Sequence, residues 1–359
     1  MDMEYDIRQI KEAEMRSLKW LLSSYLKHGT GGFPHSRWNY LPACIAWTKD
    51  YPETTGYLIE NLLSKQTLEK TQTKKIAEAS GDWLLAIQNP KGYFCSGVEF
   101  KKPSVFNTAQ ILFGFHELYL LTKEEKYLNG LKKAFNWILK NINPAGILTA
   151  GLYVEGYYAA YYSRALWPLI LADKQYFKTE NIILLTNSMD SLFLNKNEFH
   201  FFNNCGFSKS QSAISHTVAY ALEGFYESST LLNNKGIQSY IIEILEIISN
   251  QILKYKKTPG SYYNNLTGDY SFVCVTGEAQ FCALLLKVYH QTEILKLKEA
   301  AKILFGNLLK YQIHSASPEH HGAFPSSVPI WKPYFPFRYT NWTNKFFLDA
   351  CFEMKKLNA

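Results

Sequence analysis

Apolar and polar positions along this chain alternate between two kinds of helical stretch. One kind opens on small, polar or acidic residues and then turns apolar nearly all round. The other is amphipathic, with Lys and Glu on one face. The pair recurs about six times, each time introduced by a Gly-aromatic turn and a long aromatic and polar loop. The polar-opening stretches begin near Pro52, Phe106, Tyr157, Ile214, Val275 and Asn341, at intervals of about 54, 51, 57, 61 and 66 residues. A period of this size marks an array of supersecondary units. One such unit cannot bury its own apolar face, but six arranged in a ring share one core.

The contrast between the two kinds assigns an inside and an outside. After Phe106-Asn107-Thr108-Ala109-Gln110, the residues Ile111, Leu112, Phe115, Leu118, Tyr119 and Leu120 surround the helix with apolar surface, as in a buried inner helix. The following stretch, Glu124 to Asn141, sets Lys126, Lys132, Lys133 and Lys140 against Tyr127, Leu131, Phe135, Trp137 and Ile138, the pattern of an outer helix. The same order returns in Ser215–Leu232 with Lys235–Tyr255, and in Thr276–Tyr289 with Lys296–Ile313. Ile10 to Lys27 is amphipathic and is expected to be the outer helix that closes the ring. Asn143-Pro144-Ala145-Gly146 and Pro259-Gly260 supply turn chemistry, and strand signals are confined to loops. The prediction is an all-α fold, an (α/α)6 toroid of six inner and six outer helices, as a single domain over 1–359. The six polar openings then converge on one concave end.

Composition changes this picture in two places. The 16% aromatic content exceeds what the core needs. Much of the surplus lies in loops, at Phe199, Phe201, Phe202, Tyr262, Tyr263, Tyr334, Phe335, Phe337 and Tyr339. Loop aromatics either line a ligand cleft or build small cores under the loops, and the sequence leaves both readings open. The net charge of +7 comes without a basic run. Nothing therefore supports a nucleic-acid partner, whereas an anionic small molecule such as a uronic acid or a phosphate is compatible. Six cysteines without CxxC spacing read as reduced thiols. No apolar run approaches a membrane span, and no signal-peptide core is present. A cytoplasmic protein without a cofactor is expected, and the oligomeric state is left open.

Several segments resemble the α/α-toroid superfamily, which includes the six-hairpin glycosidases, uronic-acid-active hydrolases and epimerases, and the squalene-cyclase/prenyltransferase branch. They are Ala79-Ser80-Gly81-Asp82-Trp83-Leu84-Leu85-Ala86-Ile87-Gln88 followed by Gly92-Tyr93-Phe94, and Phe106-Asn107-Thr108-Ala109-Gln110. Tyr51-Pro52-Glu53-Thr54-Thr55-Gly56-Tyr57, Val275-Thr276-Gly277-Glu278-Ala279-Gln280 and Asn341-Trp342-Thr343-Asn344-Lys345-Phe346-Phe347 resemble a bacterial toroid family often labelled prenyltransferase-like and associated with polysaccharide genes. The resemblance runs the whole chain and implies the toroid fold. It implies a reaction less sharply.

Chemistry is expected where the inner helices start. Pro52 suits a first helical turn, which places Glu53 at the rim, either as a catalytic carboxylate or as a favourable charge on the helix dipole. Glu278 opens the fifth inner helix, with a capping role as its alternative. Two converging carboxylates would meet the needs of glycoside hydrolysis, one protonated and one ionised, with Asp269 as a substitute partner. Asp82, on an outer helix, and Asp349, deep in the last inner one, are weaker candidates. His216 opens the fourth inner helix. With Tyr157, Tyr158, Tyr161 and Tyr162 it would form a proton-transfer set suited to uronate epimerases or lyases, in which Tyr158 is the catalytic tyrosine. Arg164, one of five arginines, is expected to bind a carboxylate of protein or substrate, and Arg37 and Arg338 are rim candidates for the same anion. Asn107, Gln110, Gln280 and Trp342 complete the expected substrate-binding set.

The DxDD run of terpene cyclases, the Asp-x-Cys zinc pair of prenyltransferases and the Cys-His-Gly pair of lanthionine cyclases are absent. Gly29-Thr30-Gly31-Gly32 lacks the strand that would make it a phosphate loop, and no spacing asks for a metal, His320 and His321 included. The favoured reading is a carbohydrate-active enzyme: a glycoside hydrolase, lyase or uronate epimerase. The alternatives are a terpenoid cyclase-like or prenyltransferase-like toroid on an apolar substrate, and a glycan-binding toroid without catalysis.

Overall fold

Helices that bury every side alternate with helices that bury one stripe, and this alternation builds two concentric rings. The computed structural model describes residues 5–64, 70–96, 101–178, 181–209 and 212–357. The inner ring consists of α3 (Pro52–Ser64), α5 (Val105–Thr122), α7 (Ser163–Ala172), α9 (Ser215–Leu232), α11 (Val275–Thr292) and α13 (Asn341–Lys356). The outer ring consists of α1 (Ile7–Tyr25), α4 (Lys70–Ile87), α6 (Glu125–Leu139), α8 (Asn181–Phe193), α10 (Lys235–Tyr255) and α12 (Leu295–Tyr311), and a single short turn of helix, α2 (Ala43–Ala46), lies outside both. Every residue of α11 from Val275 to Leu286 is buried. By contrast, α12 buries only Leu297, Ala300, Ala301, Leu304, Phe305 and Leu308, the stripe of an amphipathic helix.

Each inner helix packs on the next, from α3 through α5, α7, α9 and α11 to α13, and α13 packs back on α3. The ring is therefore closed. The outer partner of α13 is α1, so the first helix of the chain completes the last hairpin, as its amphipathic pattern predicts. The third inner helix departs from expectation. A 3-10 turn over Ala160–Tyr162 precedes it, and regular α-helix starts only at Ser163, six residues beyond Tyr157.

Short strands tie the helix starts together. Ser36–Trp38 pairs with Arg338–Thr340, Phe94–Ser96 with Lys102–Ser104, and Val273–Cys274 with Ser327–Val328. Ala213–Ile214, Ser261–Tyr262 and Gly268–Asp269 form a three-stranded set. Four of these strands run directly into α5, α9, α11 and α13, so the same end of the ring carries the helix N-termini and the strand pairs. At the opposite ends, α5, α9 and α11 stop on left-handed residues, Lys123, Asn233 and Glu293.

Close backbone approach sets the diameter of the inner ring. A Cβ on Gly224 of α9 would lie 2.1 Å from the Arg164 backbone nitrogen and 2.3 Å from the Ser163 carbonyl carbon of α7, and one on Gly114 of α5 would lie 2.5 Å from the Gly56 carbonyl oxygen of α3. Backbone cannot yield as a flexible side chain can. Gly224→Ala is therefore expected to destabilise the protein by about 1–3 kcal/mol through overpacking, read as a lower urea midpoint. An unchanged midpoint would mean that α7 and α9 separate without cost.

Candidate active site

The inner helices present their second residues to the concave end. Glu53 of α3, Phe106 of α5, His216 of α9 and Trp342 of α13 each follow the first residue of their helix, and all four line one cavity of about 860 Å³. One turn deeper lie Tyr57, Gln110, Tyr220, Gln280 and Phe346, each the sixth residue of its helix, as a period of 3.6 requires. Contacts across the ring show that this layer faces the axis. Tyr220 of α9 touches Phe106 of α5 at 5.1 Å and Phe346 of α13 at 5.7 Å between ring centroids. The cavity wall is completed by the loops, including His35, Trp38, Tyr51, Tyr153, Asp269, Tyr334, Phe335 and Arg338.

Glu53 lies at the floor of this cavity. Burial raises its carboxyl pKa to about 7, against the opposing effects of a hydrogen bond from the Tyr220 hydroxyl and the Arg164 charge. The Tyr220 hydroxyl is 3.4 Å from Glu53 Oε1. The carboxyl is thus divided between acid and base near neutral pH, the condition under which proton transfer is most efficient. His216 packs its ring 4.2 Å from that of Tyr220 and holds Gln280 Oε1 through Nδ1 at 2.6 Å. Burial, aided by Arg164, depresses its pKa to about 3, so the imidazole is neutral. With Nδ1 donating to Gln280, the Nε2 lone pair is the one left for a ligand.

Below the floor, Arg164 organises the site without lining the cavity. Its Nε donates to Gln110 Oε1 at 3.1 Å, and its Nη1 pairs with Glu223. Its guanidinium faces the rings of Tyr220 at 5.0 Å, Trp167 at 5.3 Å, Phe346 at 5.5 Å and Phe113 at 5.9 Å. Pro168 in α7 has no N–H for the Arg164 carbonyl, and Gln110 Nε2 approaches that carbonyl at 3.5 Å instead. Arg164 and Gln110 therefore form a clamp beneath the cavity, and of the two carboxylates expected for Arg164, the protein's or the substrate's, it is the protein's Glu223 that pairs with it.

Of the remaining expected residues, Asn107 lines the cavity and donates to the Tyr51 hydroxyl at 3.0 Å. Trp342 donates to the Tyr334 hydroxyl at 2.8 Å. Asp269 lies on the wall with Oδ1 accepting from the Ser271 amide. Arg338 stacks on Trp38 at 3.8 Å, its cross-strand partner, and among the described residues its guanidinium meets no carboxylate. Gln280 reaches the site only through His216.

Three expectations are corrected by their surroundings. Glu278 is sealed away from the cavity. Its oxygens accept from the Thr258 amide at 3.2 Å, the Thr258 hydroxyl at 2.8 Å and Asn307 Nδ2 at 2.8 Å, so it ties α11 to the outer ring. It is the fourth residue of its helix where Glu53 is the second, and two residues rotate a side chain by about 200°. Tyr158 precedes the 3-10 turn, and its hydroxyl donates to the Gly146 carbonyl at 3.4 Å outside the cavity; Tyr161 and Tyr153 line the wall instead. Arg37 is buried, donating to the carbonyls of Trp38 and Leu41 and facing Glu319 at 3.5 Å. The loop aromatics divide between both readings. Tyr334 and Phe335 line the cavity, whereas Phe201, Phe202, Tyr262 and Tyr339 are buried in the core. Asp82 pairs with Lys126 on the outer ring, and Asp349 with Lys345 deep in the inner one.

No known protein-family profile matches this sequence, and no curated protein matches it. Solved structures do. An unsaturated glucuronyl hydrolase specific for heparin aligns at a TM-score of 0.74 with 14% identity, over 98% of each chain. Cellobiose 2-epimerase from Bacillus thermoamylovorans B4167 aligns at 0.72 with 14% identity, over 96% of this chain and 98% of that one. An unsaturated glucuronyl hydrolase from Bacillus sp. GL1 aligns at 0.74 with 13% identity, over 96% of each chain. The fold these structures share with this chain is the (α/α)6 toroid. Each of these alignments covers nearly the whole of both chains. Among the described residues, no helix is long and apolar enough to cross a membrane.

The sign of the Glu53 shift makes a measurable statement about stability. A carboxyl whose folded pKa is raised binds its proton more tightly folded than unfolded. Its contribution is full below the ordinary carboxylate range and is lost as pH rises towards about 7. Glu53→Gln removes that loss. Relative to wild type, the variant should gain on the order of 1–3 kcal/mol in chemical denaturation at pH 8 and little at pH 5. Glu278→Ala should lose about 1–3 kcal/mol at pH 5, because three donors lose their acceptor. Equal behaviour of Glu53→Gln at both pH values would show that Glu53 is solvated.

Proposed function

We propose that this protein is a carbohydrate-active enzyme in which Glu53 exchanges a proton with a sugar held in the toroid cavity. The observation that carries the reading is the grouping at the cavity floor. A carboxyl poised near neutrality, a tyrosine hydroxyl bonded to it and a neutral imidazole stand under a wall of ring faces and hydroxyls. Such a wall suits pyranose rings, which present flat C–H faces and polar edges. The six-hairpin glycosidase fold supports the same substrate class, since its solved members include hydrolases and an epimerase named for saccharides.

Arg338 supports an acidic sugar. An Arg that meets no carboxylate among the described residues is a ready partner for one on the substrate, and the net charge of +7 favours the approach of an anion. The grouping of Glu53, Tyr220 and His216 favours proton transfer at carbon, as in a lyase or uronate epimerase, over hydrolysis. Hydrolysis needs a second carboxylate in the cavity, and among the described lining residues that is Asp269. The resemblance of the helix-start motifs to a polysaccharide-associated bacterial family supports a surface polysaccharide as the source of the glycan. Six free cysteines support a reducing, cytoplasmic setting.

Acidic oligosaccharides screened for new reducing ends, new C=C absorbance and deuterium uptake from D2O separate the three reactions. On the active substrate, Glu53→Gln should lower turnover by roughly 10²–10⁴-fold without loss of fold, and Asp269→Asn should do so only if the reaction is hydrolysis. Arg338→Gln should weaken binding of an acidic sugar by about 10-fold or more, the equivalent of one charge-assisted hydrogen bond, and leave a neutral one unchanged. Full turnover by Glu53→Gln would end the proton-transfer assignment.

A further inference from the structure

The mouth of the cavity continues outward over a second aromatic surface. Trp38 and Arg338 face each other across the strand pair 36–38 and 338–340. Beyond them, the Asn39 amide donates to the Phe337 carbonyl at 3.0 Å, which extends the pairing by one step. Tyr40 then stands with its ring 5.7 Å from that of Trp38 and 6.1 Å from that of Phe337. Trp38 lines the cavity, while Tyr40 is 63% exposed and Phe337 41% exposed. An unbroken path of rings therefore leads from the cavity wall onto the surface.

The backbone that carries this path is held in an unusual conformation. Phe335 and Phe337, on either side of Pro336, both adopt left-handed φ angles of 47° and 57°. Bulky residues rarely hold that conformation, and they do so where the surroundings impose it. Here the Phe337 amide donates to the Ile330 carbonyl at 2.8 Å, and its carbonyl accepts from Asn39. The result divides the loop: Phe335 and Arg338 face the cavity, and Phe337 is turned out beside Tyr40. A core role would explain Phe335, which packs on Trp342, but not an outward aromatic ring on strained backbone.

We propose that Tyr40 and Phe337 form an outer subsite that stacks the next ring of a glycan whose first ring enters the cavity, with Arg338 reading an acidic group between the two. The inference rests on the carbohydrate reading above and adds to it a preference for oligosaccharides over single sugars. Continuity with the cavity argues for the occupant. The Arg338 guanidinium at the junction, which meets no carboxylate among the described residues, argues for its charge, and exposed aromatics grouped at a cleft are the ordinary mark of a binding surface.

The test uses oligo-uronides of one to four rings from polygalacturonate, alginate and heparosan as probes, titrated calorimetrically into the full-length protein. For at least one series, binding should tighten at least 10-fold from one ring to two or three. Tyr40→Ala and Phe337→Gly should each remove most of that gain and leave the single-ring affinity unchanged. Glycine suits the left-handed φ at 337, so that variant keeps the fold, and Tyr40→Phe should retain the gain because its ring remains. Equal affinity for one ring and three in wild type overturns the outer subsite alone, as does a gain that survives both substitutions. Self-association of wild type that Tyr40→Ala abolishes assigns the surface to a second copy of the chain and overturns the subsite likewise. Absence of binding by every probe overturns the acidic-sugar reading, and the subsite with it.

Discussion

One cation on the ring axis ties the architecture to the site. Arg164 enters from α7, bonds to Gln110 of α5 and Glu223 of α9, and lies among rings from α5, α7, α9 and α13. Four of the six inner helices therefore meet at one guanidinium. A buried charge is costly unless it is paired and hydrogen-bonded, and breaking such a pair costs about 3–5 kcal/mol. Here a carboxylate, an amide and four π faces share the load. Arg suits this position. Its planar group stacks and donates in several directions, which a Lys ammonium cannot match.

The same cation shapes the chemistry above it. It faces the Tyr220 ring, Tyr220 reaches Glu53 with its hydroxyl, and His216 packs against the same ring. Its charge opposes burial at Glu53, which keeps that carboxyl near neutrality, and adds to burial at His216, which keeps the imidazole uncharged. Two titratable groups that share Tyr220 as a neighbour are driven to different states by one environment. This separation of roles is how neighbouring groups in one site become acid and base. The stability of the ring and the poise of the site thus share a physical origin, and a substitution at Arg164 perturbs both.

Legibility in the sequence varied with the range of the interaction. The inner and outer rings were readable because helix burial is a local periodic property: α11 is apolar all round and α12 is striped, whatever they pack against. The start of α7 was misplaced because a 3-10 turn at Ala160–Tyr162 delays it, and nothing in a run of tyrosines distinguishes 3-10 from α. Glu53, His216, Asn107 and Trp342 were placed at the cavity by their positions at helix starts. Tyr220 was missed, though its signal was present: it lies four residues after His216, on the same helix face. His35, Trp38 and Tyr51 come from the long first loop, which carries no period to read.

From the chain alone, then, came the closed alternation of inner and outer helices and the end at which their polar openings gather. Those are consequences of a 3.6-residue repeat and of burial, and they survive without knowledge of any partner. Which polar residue faces the cavity was decided by tertiary structure. Glu53 and Glu278 look equivalent along the chain, but two residues of helical phase turn one to the axis and the other to Thr258 and Asn307. Arg164 and Arg338 likewise meet different partners, Glu223 for one and no carboxylate among the described residues for the other. The properties of a charge are set by its solvent and its neighbours, and both are assembled only when the ring closes.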